Sequence, residues 1–207
     1  MALCDNSGSA RGSTTSSMGS MAVATIANLT GLLAARCADD GHVGLFGDLL
    51  TDVPIRKGAS VMQQLDELER LGNAVGQGTE NGVWLFWDRA IRERQQWDTV
   101  FVFSDMQAGH GGLYGIDPKQ YAEFKWSKSQ YIDVPMLIAA YRERVNPQVN
   151  VFLVQVAGYK DALVPEFYER TYILGGWGEG LLRFAAEMAD IAEGREPRAS
   201  RNQSPAA

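Results

Sequence analysis

The chain is poor in the residues that build zinc sites and nucleophilic triads: it has two cysteines and two histidines among 207 residues. Two cysteines without histidines at ligand spacing make no zinc motif. Cys4 and Cys37 both stand in apolar stretches, which predicts buried free thiols. With His42 and His110 as the only histidines, no Ser-His-Asp set is formed. The two unpaired cysteines favour a reducing, cytoplasmic compartment.

Long apolar runs and an excess of positive charge are also missing. No apolar run reaches the roughly 18 residues that a membrane-spanning helix needs. An acid at position 5, with no basic segment before it, argues against a signal peptide. The formal net charge of −6 and the sequence pI of about 5.0 argue against a nucleic-acid-binding surface covering the domain. Hydrophobic residues make up 45% of the chain, enough for a full core.

Strand-like and helix-like segments alternate along the chain. Residues 99–103 form a β-branched and aromatic run, typical of a strand buried on both faces, and residues 20–36 are apolar on every helical face, typical of a buried helix. The other predicted strands are residues 1–4, 42–47, 51–55, 149–157 and 172–174, and the other predicted helices are residues 61–71, 81–95, 134–144 and 181–192. The alternation predicts an α/β fold with a doubly wound, mostly parallel central sheet and helices on both faces.

The predicted domain spans residues 1–193, and the charged, proline-containing segment 194–207 is predicted to be a disordered tail. Only four residues precede the acid at position 5, which is short for a central strand and suggests the C-terminal part of a longer protein. The spacing of the last predicted helix gives it one inward face, formed by Leu181, Phe184, Ala185, Met188 and Ile191.

Oxygen-bearing side chains follow two of the predicted strands. Asp5, Ser7 and Ser9 alternate in one tight loop, Asp105 follows the central strand, and Thr79 lies in the loop before the aromatic-rich helix. Ligands of such sheets bind at the carboxyl ends of the strands, so Asp5 and Asp105 are predicted at one edge. All five are the hard oxygen donors that Mg²⁺ or Mn²⁺ prefers. Because only two are anionic, the metal should seek an anionic ligand, such as a partner's carboxylate, and bind rather than catalyse.

Three further residues are candidates for the rim or the support of this site. Asp48 ends the second strand at the same edge, where it either supports the metal ligands or is a solvent-exposed loop acid. Glu80 is better placed to cap the helix that follows it. His110 stands in a glycine-rich loop, residues 107–118, near Asp105. It either contacts the ligand or tunes access to the metal, or it is an exposed histidine without a role.

The pattern Asp-x-Ser-x-Ser, then Thr, then Asp resembles the metal-ion-dependent adhesion site (MIDAS) of von Willebrand factor type A domains. Residues 5–9 (DNSGS), Thr79 and Asp105 match that pattern position by position. The resemblance implies a von Willebrand A, Rossmann-like fold. It also implies that the serines and the threonine touch the metal, while the aspartates act through water or hydrogen bonds. One departure is Ala10, where many type A domains carry Met.

A second resemblance covers nearly the whole chain. The chain is similar to the C-terminal domain of bacterial Ro (TROVE) RNA-binding proteins in the segments IANLTGLLAA, GHVGLFGD, GTENGVWLFWDRAI, FVFSDMQAGHGGLYG and NPQVNVFLVQVAGY. In that family a helical-repeat ring precedes this domain and binds Y RNAs and the ends of misfolded RNAs. The ring is not in this chain. The resemblance therefore implies membership of a ribonucleoprotein of RNA quality control, with RNA bound through a separate helical-repeat domain.

Two other functions stay open at this point. A magnesium-dependent phosphoryl-transfer enzyme also places an aspartate at a strand end, but the haloacid dehalogenase-type pattern needs Asp-x-Asp, and position 7 is Ser. Direct RNA binding by this domain is disfavoured by its acidic charge. The leading prediction is therefore a cytoplasmic, non-catalytic, metal-dependent ligand- or protein-binding module that contacts no membrane.

Overall fold

The computed structural model describes residues 1–13, 20–78, 82–105, 110–112, 131–156, 169–176, 180–192 and 194–195. The chain divides into two compact units, Met1–Gly176 and Trp177–Ala207. The predicted tail lies outside the described residues except for residues 194 and 195. The predicted domain boundary at residue 193 therefore stays a prediction.

The predicted strands and helices are present in the predicted order, and the structure adds two short strands at residues 110–112 and 131–133. The strands are β1 (Ala2–Asp5), β2 (Val43–Phe46), β3 (Leu50–Val53), β4 (Thr99–Ser104), β5 (His110–Gly112), β6 (Tyr131–Asp133), β7 (Asn150–Gln155) and β8 (Thr171–Gly175). The helices are α1 (Val23–Cys37), α2 (Val61–Gly72), α3 (Gly82–Arg92), α4 (Val134–Arg144) and α5 (Gly180–Ala192), of which α5 belongs to the second unit. A single π-helical turn, Ser9–Ser13, precedes α1.

Six strands form the central sheet of the first unit, in the order β3-β2-β1-β4-β7-β8. All neighbours pair in parallel except β3, which is antiparallel to β2 at one edge of the sheet. The chain winds outward from β1 to β3, then returns to β4 and winds outward in the other direction to β8. This confirms the predicted fold class. The change of direction lies between β1 and β4, which is where doubly wound sheets bind their ligands.

Helices cover both faces of this sheet. On one face, Gly31 of α1 lies against Cys4 of β1 and Phe103 of β4. On the other face, Leu3 and Val102 belong to the main apolar cluster together with buried side chains of α3 and α4. Successive strand residues point to opposite faces, so the apolar runs at residues 2–4 and 99–103 serve both helix layers.

The contact between α1 and β1 gives a prediction about Gly31. A Cβ atom added there would overlap the Cys4 Sγ atom, which donates a hydrogen bond to the Ala27 carbonyl at 3.2 Å. Overpacking of this kind costs ~1–3 kcal/mol, partly offset by the helix preference for alanine. We expect Gly31→Ala to destabilise the wild type but to be nearly neutral or stabilising in a Cys4→Ala background. Urea denaturation of the four variants of this cycle measures the coupling, and additive effects would contradict the prediction.

Several details differ from the sequence predictions. Cys4 is buried, but Cys37 is exposed at the last residue of α1. Phe184 and Ile191 of α5 are 42% and 50% exposed, so the predicted inward face is wrong at these two positions. Helical spacing identifies an apolar stripe, but it does not identify what covers the stripe. Part of the predicted glycine-rich loop, residues 110–112, is a strand, because it pairs with β6.

None of the helices within the described ranges is both long and apolar enough to cross a bilayer.

Candidate metal-binding site

The two aspartates of the predicted site leave neighbouring strands at the same edge of the sheet. Asp5 is the last residue of β1 and Asp105 directly follows β4. The two strands pair in parallel, with Cys4 opposite Phe103. Both aspartates are fully buried. The strand register therefore brings together two acids that are 100 positions apart in the sequence.

Three oxygen atoms at this edge form a continuous row. The Ser9 hydroxyl donates a hydrogen bond to Asp105 Oδ2 at 2.9 Å, and its oxygen lies 3.2 Å from Ser7 Oγ. Adjacent ligands of an octahedral Mg²⁺ ion, with bonds near 2.1 Å, are ~3.0 Å apart. The 3.2 Å between the Ser7 and Ser9 oxygens therefore fits neighbouring positions around one such ion, and Asp105 is near enough either to bind that ion or to hold the Ser9 hydroxyl in place.

Asp5 supports this row through hydrogen bonds. Its Oδ1 accepts a hydrogen bond from the Ser7 backbone N–H at 3.0 Å, and its Oδ2 accepts one from the Ser104 hydroxyl at 2.7 Å. Burial, followed by the negative charge of Asp105, raises the pKa of Asp5 to about 6, although the hydrogen bonds from Ser7 and Ser104 oppose the rise. A cation beside the two carboxylates would favour the charged form of Asp5.

A buried amide pair fixes the loop that carries the serines. Asn6 Nδ2 donates hydrogen bonds to Asn28 Oδ1 at 2.8 Å and to the Cys4 carbonyl at 3.1 Å. In return, Asn28 Nδ2 donates to Asn6 Oδ1 at 3.1 Å and to Glu69 Oε1 at 3.1 Å. Both asparagines are fully buried. The loop is thereby tied to α1 and α2.

Sequence reasoning assigned no role to Asn6, Asn28, Ser104 or Arg11. A role for Asn28 could have been predicted from the sequence, because an amide inside an apolar helix needs a hydrogen-bonding partner when it is buried. For Ser104 the indication was weaker: its hydroxyl stands next to Asp105 in the sequence. Nothing local identifies Asn6 or Arg11: apart from the Cys4 carbonyl, the partners of their side chains lie 22 or more positions away in the chain.

The structure brings together four of the five predicted metal-binding residues: Asp5, Ser7, Ser9 and Asp105. The fifth, Thr79, and the neighbouring Glu80 lie outside the described residues, which reach Gly78 on that side. Their assignments stay predictions.

The other two candidates have different outcomes. Asp48 is exposed, yet its carboxylate accepts hydrogen bonds from the backbone N–H groups of Gln77 at 2.8 Å and Gly78 at 3.1 Å. Its exposure agrees with the prediction of a solvent-exposed loop acid, and a role in supporting the metal ligands stays a prediction. The backbone of His110 lies in β5 opposite Asp133, and its side chain is outside what the structure describes.

Charged and sulfur ligands do not form a metal cluster in the described part of the chain. There, no group of three or more His, Cys, Asp or Glu side chains is placed to hold a metal ion. The candidate site has another composition, since serine hydroxyls supply two of its oxygens. Such a donor set suits Mg²⁺ or Mn²⁺ rather than zinc.

Similarity to known proteins is found at the level of the structure. No family model matches the chain, and no curated protein matches it. Among solved structures, the chain is similar to the crystal structure of the RO (RSR) protein of Deinococcus radiodurans, with a TM-score of 0.61 and 13% sequence identity. The similarity covers 93% of this chain and 33% of that protein. The chain therefore shares the fold of the matched part of that protein and spans about a third of its length.

Proposed function

We propose that the chain is a non-catalytic, divalent-metal-dependent binding module. In this proposal Ser7, Ser9 and Thr79 contact Mg²⁺ or Mn²⁺ directly, while Asp5 and Asp105 act through hydrogen bonds or water. A carboxylate from a partner completes the coordination. The observation that carries the proposal is the pair of Ser7 and Ser9 hydroxyl oxygens at ion-ligand spacing, with the Ser9 hydroxyl hydrogen-bonded to Asp105.

Charge favours binding over catalysis. Two carboxylates face the candidate site, and both oxygens of Asp5 already accept hydrogen bonds, from Ser7 and Ser104. Asp5 is therefore placed to orient the loop rather than to attack a substrate. A divalent ion held mainly by neutral hydroxyls keeps much of its positive charge, so it attracts an anionic partner group.

The proposed setting is a Ro-like ribonucleoprotein that takes part in RNA quality control in the cytoplasm. The fold similarity to the RO (RSR) protein supports it. RNA would be bound through a separate helical-repeat domain. The formal net charge of −6 fits a module that contacts a protein partner rather than the RNA backbone.

Metal binding is the first test of this function. We expect the wild type to bind Mn²⁺ in isothermal titration calorimetry at pH 7.5. Ser9→Ala should weaken binding by ~10- to 100-fold, and Asp5→Ala should abolish it. Ser60→Ala is the matched control, because Ser60 is an exposed hydroxyl that makes no capping hydrogen bond with α2. Equal binding by wild type, Ser9→Ala and Asp5→Ala would contradict the proposed site.

The non-catalytic character has its own test. We expect no turnover of a phosphate monoester by the purified chain with Mg²⁺. Turnover that disappears in Asp5→Asn but persists in Ser60→Ala would show that the site is an enzyme centre instead.

A further inference from the structure

Two buried asparagine side chains connect the serine loop, residues 5–9, to helix α2. Asn6 stands in this loop, and Asn28 lies in α1. Each amide donates a hydrogen bond to the other, at 2.8 and 3.1 Å. The second hydrogen of each Nδ2 atom points outward: Asn6 donates to the Cys4 carbonyl and Asn28 donates to Glu69 Oε1 of α2, both at 3.1 Å.

The direction of donation in this network is fixed at both ends. A backbone carbonyl and a carboxylate accept hydrogen bonds and do not donate them. Nδ2 of Asn6 must therefore face Cys4, and Nδ2 of Asn28 must face Glu69. All four amide hydrogens are used, and both asparagines are fully buried. A rotated amide would leave a buried donor or acceptor unpaired, which costs ~1–3 kcal/mol.

Helix α2 also approaches Asn6 with its backbone. Gly72 is the last residue of α2, and a Cβ atom added there would overlap Asn6 Oδ1. Only glycine therefore leaves room for this oxygen beside the Asn28 amide. Because residues three apart are neighbours on a helix surface, Glu69 and Gly72 face the network from adjacent positions.

We propose that Glu69 and Asn28 are positioning residues of the metal site: acting through Asn6, they hold the serine loop so that its two hydroxyls stay at ion-ligand spacing. This role rests on the proposed metal-binding function. Asn6 is joined directly to Ser7, whose oxygen lies 3.2 Å from that of Ser9. When Asn6 loses its partner, its amide seeks other hydrogen bonds, the loop backbone moves with it, and the two hydroxyls separate.

A second buried amide provides the matched control for Asn28. Gln64 of α2 is 3% exposed, and it donates to the Arg56 carbonyl at 2.9 Å and accepts from the Arg56 N–H at 3.0 Å. These hydrogen bonds hold the segment that precedes α2. Gln64→Ala therefore removes a buried amide and its hydrogen bonds, as Asn28→Ala does, but leaves the partners of the serine loop in place.

The first measurement needs no metal. Amide hydrogen exchange of the metal-free chain, followed by NMR, reports on Ser7 and Gly8, whose N–H groups are both hydrogen-bonded. Relative to the amides of β4 in the same sample, Asn28→Ala should speed exchange at both positions by at least ~10-fold. Gln64→Ala should leave this ratio unchanged. Unprotected amides in the wild type, or equal effects of the two variants, would overturn the positioning role.

The second measurement separates the hydrogen bond of Glu69 from its charge. Mn²⁺ affinity is measured by calorimetry for the wild type, Glu69→Ala and Glu69→Gln. We expect Glu69→Ala to weaken binding by ~10-fold. Glu69→Gln should stay within ~2-fold of the wild type, because the new amide oxygen still accepts the hydrogen bond from Asn28. Glu67→Ala is the control that removes an equal charge from the same helix, and it should also stay within ~2-fold.

Two results of this comparison would contradict the proposal. Equal losses in Glu69→Ala and Glu69→Gln would show that the charge acts on the ion from a distance. Unchanged affinity in Glu69→Ala would show that the hydrogen bond does not reach the site. Glu69 is only partly buried, so these variants remain informative even where Asn28→Ala fails to fold.

A double-mutant cycle tests whether Glu69 acts through Asn28. Asn28→Ala alone should weaken Mn²⁺ binding by ~10-fold or more, and Gln64→Ala by less than ~2-fold. Adding Glu69→Ala to Asn28→Ala should weaken binding by less than ~2-fold further, because the connection is already broken. Independent, additive losses would overturn the proposed route from Glu69 to the loop.

Gly72→Ala perturbs Asn6 from the backbone of α2. The added methyl group displaces the Asn6 amide, so we expect Mn²⁺ binding to weaken by ~10-fold. Gly58→Ala is the matched control, because a Cβ atom there meets nothing within 4 Å, and it should bind Mn²⁺ as the wild type does. Wild-type affinity in Gly72→Ala would show that the position of Asn6 does not set the metal affinity.

The outcomes separate this inference from the proposed function. If the wild type binds no Mn²⁺, the proposed function fails and the positioning role fails with it, whatever the exchange data show. If the wild type binds Mn²⁺ and Asp5→Ala does not, the proposed function stands. The variants of Glu69, Asn28 and Gly72 then decide the positioning role.

Discussion

Replacing Asp5 with Asn is expected to stabilise the metal-free protein at neutral pH while abolishing the proposed metal binding. Asp5 is fully buried, and burial together with the charge of Asp105 raises its pKa to about 6 from 3.8. The folded protein therefore binds a proton at this carboxyl more tightly than the unfolded chain does. An uncharged side chain of the same shape removes the cost of burying the second charge.

The sign of the pH dependence follows from that comparison. For a group whose pKa is raised on folding, the favourable contribution is fully present below the unfolded value of 3.8 and is lost as the pH rises through about 6. Ionising Asp5 thus costs the wild type up to ~3 kcal/mol above pH 6. The Asn side chain still accepts a hydrogen bond from the Ser7 N–H and avoids the cost of ionisation. Its hydrogen bond with Ser104 is weaker than that of the Asp5 carboxylate. We expect a net gain of ~2 kcal/mol at pH 7.5.

Urea denaturation of metal-free wild type and Asp5→Asn between pH 4 and pH 8 tests this result. The difference in free energy of unfolding should be largest above pH 6 and should shrink toward zero near pH 4. Asp66→Asn, an exposed acid on α2, serves as the control and should show no such trend. A difference that is independent of pH, or a loss of stability at pH 7.5, would contradict the prediction. A site residue that destabilises the metal-free fold is typical of a functional position.

Local patterns were enough to predict the architecture. The apolar run that became β4 predicted a buried strand, and the strand-helix alternation predicted the winding. The strand predicted at residues 51–55 was found at Leu50–Val53, and it ends before Pro54 because proline supplies no N–H group for the sheet. The helix predicted at residues 134–144 was found at those residues, with Pro135 in its first turn and Asp133 as its N-cap.

The same patterns predicted the edge of the sheet at which the candidate site lies. They did not predict the hydrogen bonds that hold the surrounding loops in place. Asp5 and Asp105 were predicted at one edge because both follow parallel strands, and the register confirms their neighbouring strands. The side chain of Arg11 donates hydrogen bonds to Gly72, Asn73 and Gly76, which lie more than 60 positions away in the chain. Partners this distant leave no periodicity or spacing in the sequence, so they follow only from the folded structure.

The last predicted helix shows a second limit of prediction from the sequence. An apolar stripe predicts that a helix packs against something, and the sequence alone does not say whether this is the same chain or another surface. Phe184 and Ile191 are exposed in the described structure although their spacing fits the stripe. Cys37 differs for a simpler reason: the apolar stretch ends with the helix, and its last residue is exposed there.

Truncation of Trp87 is expected to give the largest loss of stability in the described core. Trp87 is fully buried between α3 and α4, with ring centroids 5.0 Å from Phe86 and 5.1 Å from Tyr141. Replacing such a ring with alanine costs ~3–5 kcal/mol, through lost apolar burial and the cavity left behind. Trp87→Ala should therefore unfold at much lower urea concentration than the wild type, in equilibrium denaturation followed by far-UV circular dichroism.

Trp87→Phe separates ring packing from the indole N–H. Within the described residues the Trp87 Nε1 atom is buried without a hydrogen-bond partner, and such a donor costs ~1–3 kcal/mol. Phenylalanine removes that cost while it keeps one ring, so we expect a loss of no more than ~1.5 kcal/mol. Trp97 is the matched control, because its Nε1 donates to Gln95 Oε1 at 3.3 Å, so Trp97→Phe loses a formed hydrogen bond. If Trp87→Phe is as damaging as Trp87→Ala, the unpaired N–H contributes nothing and ring size alone determines the stability of this core.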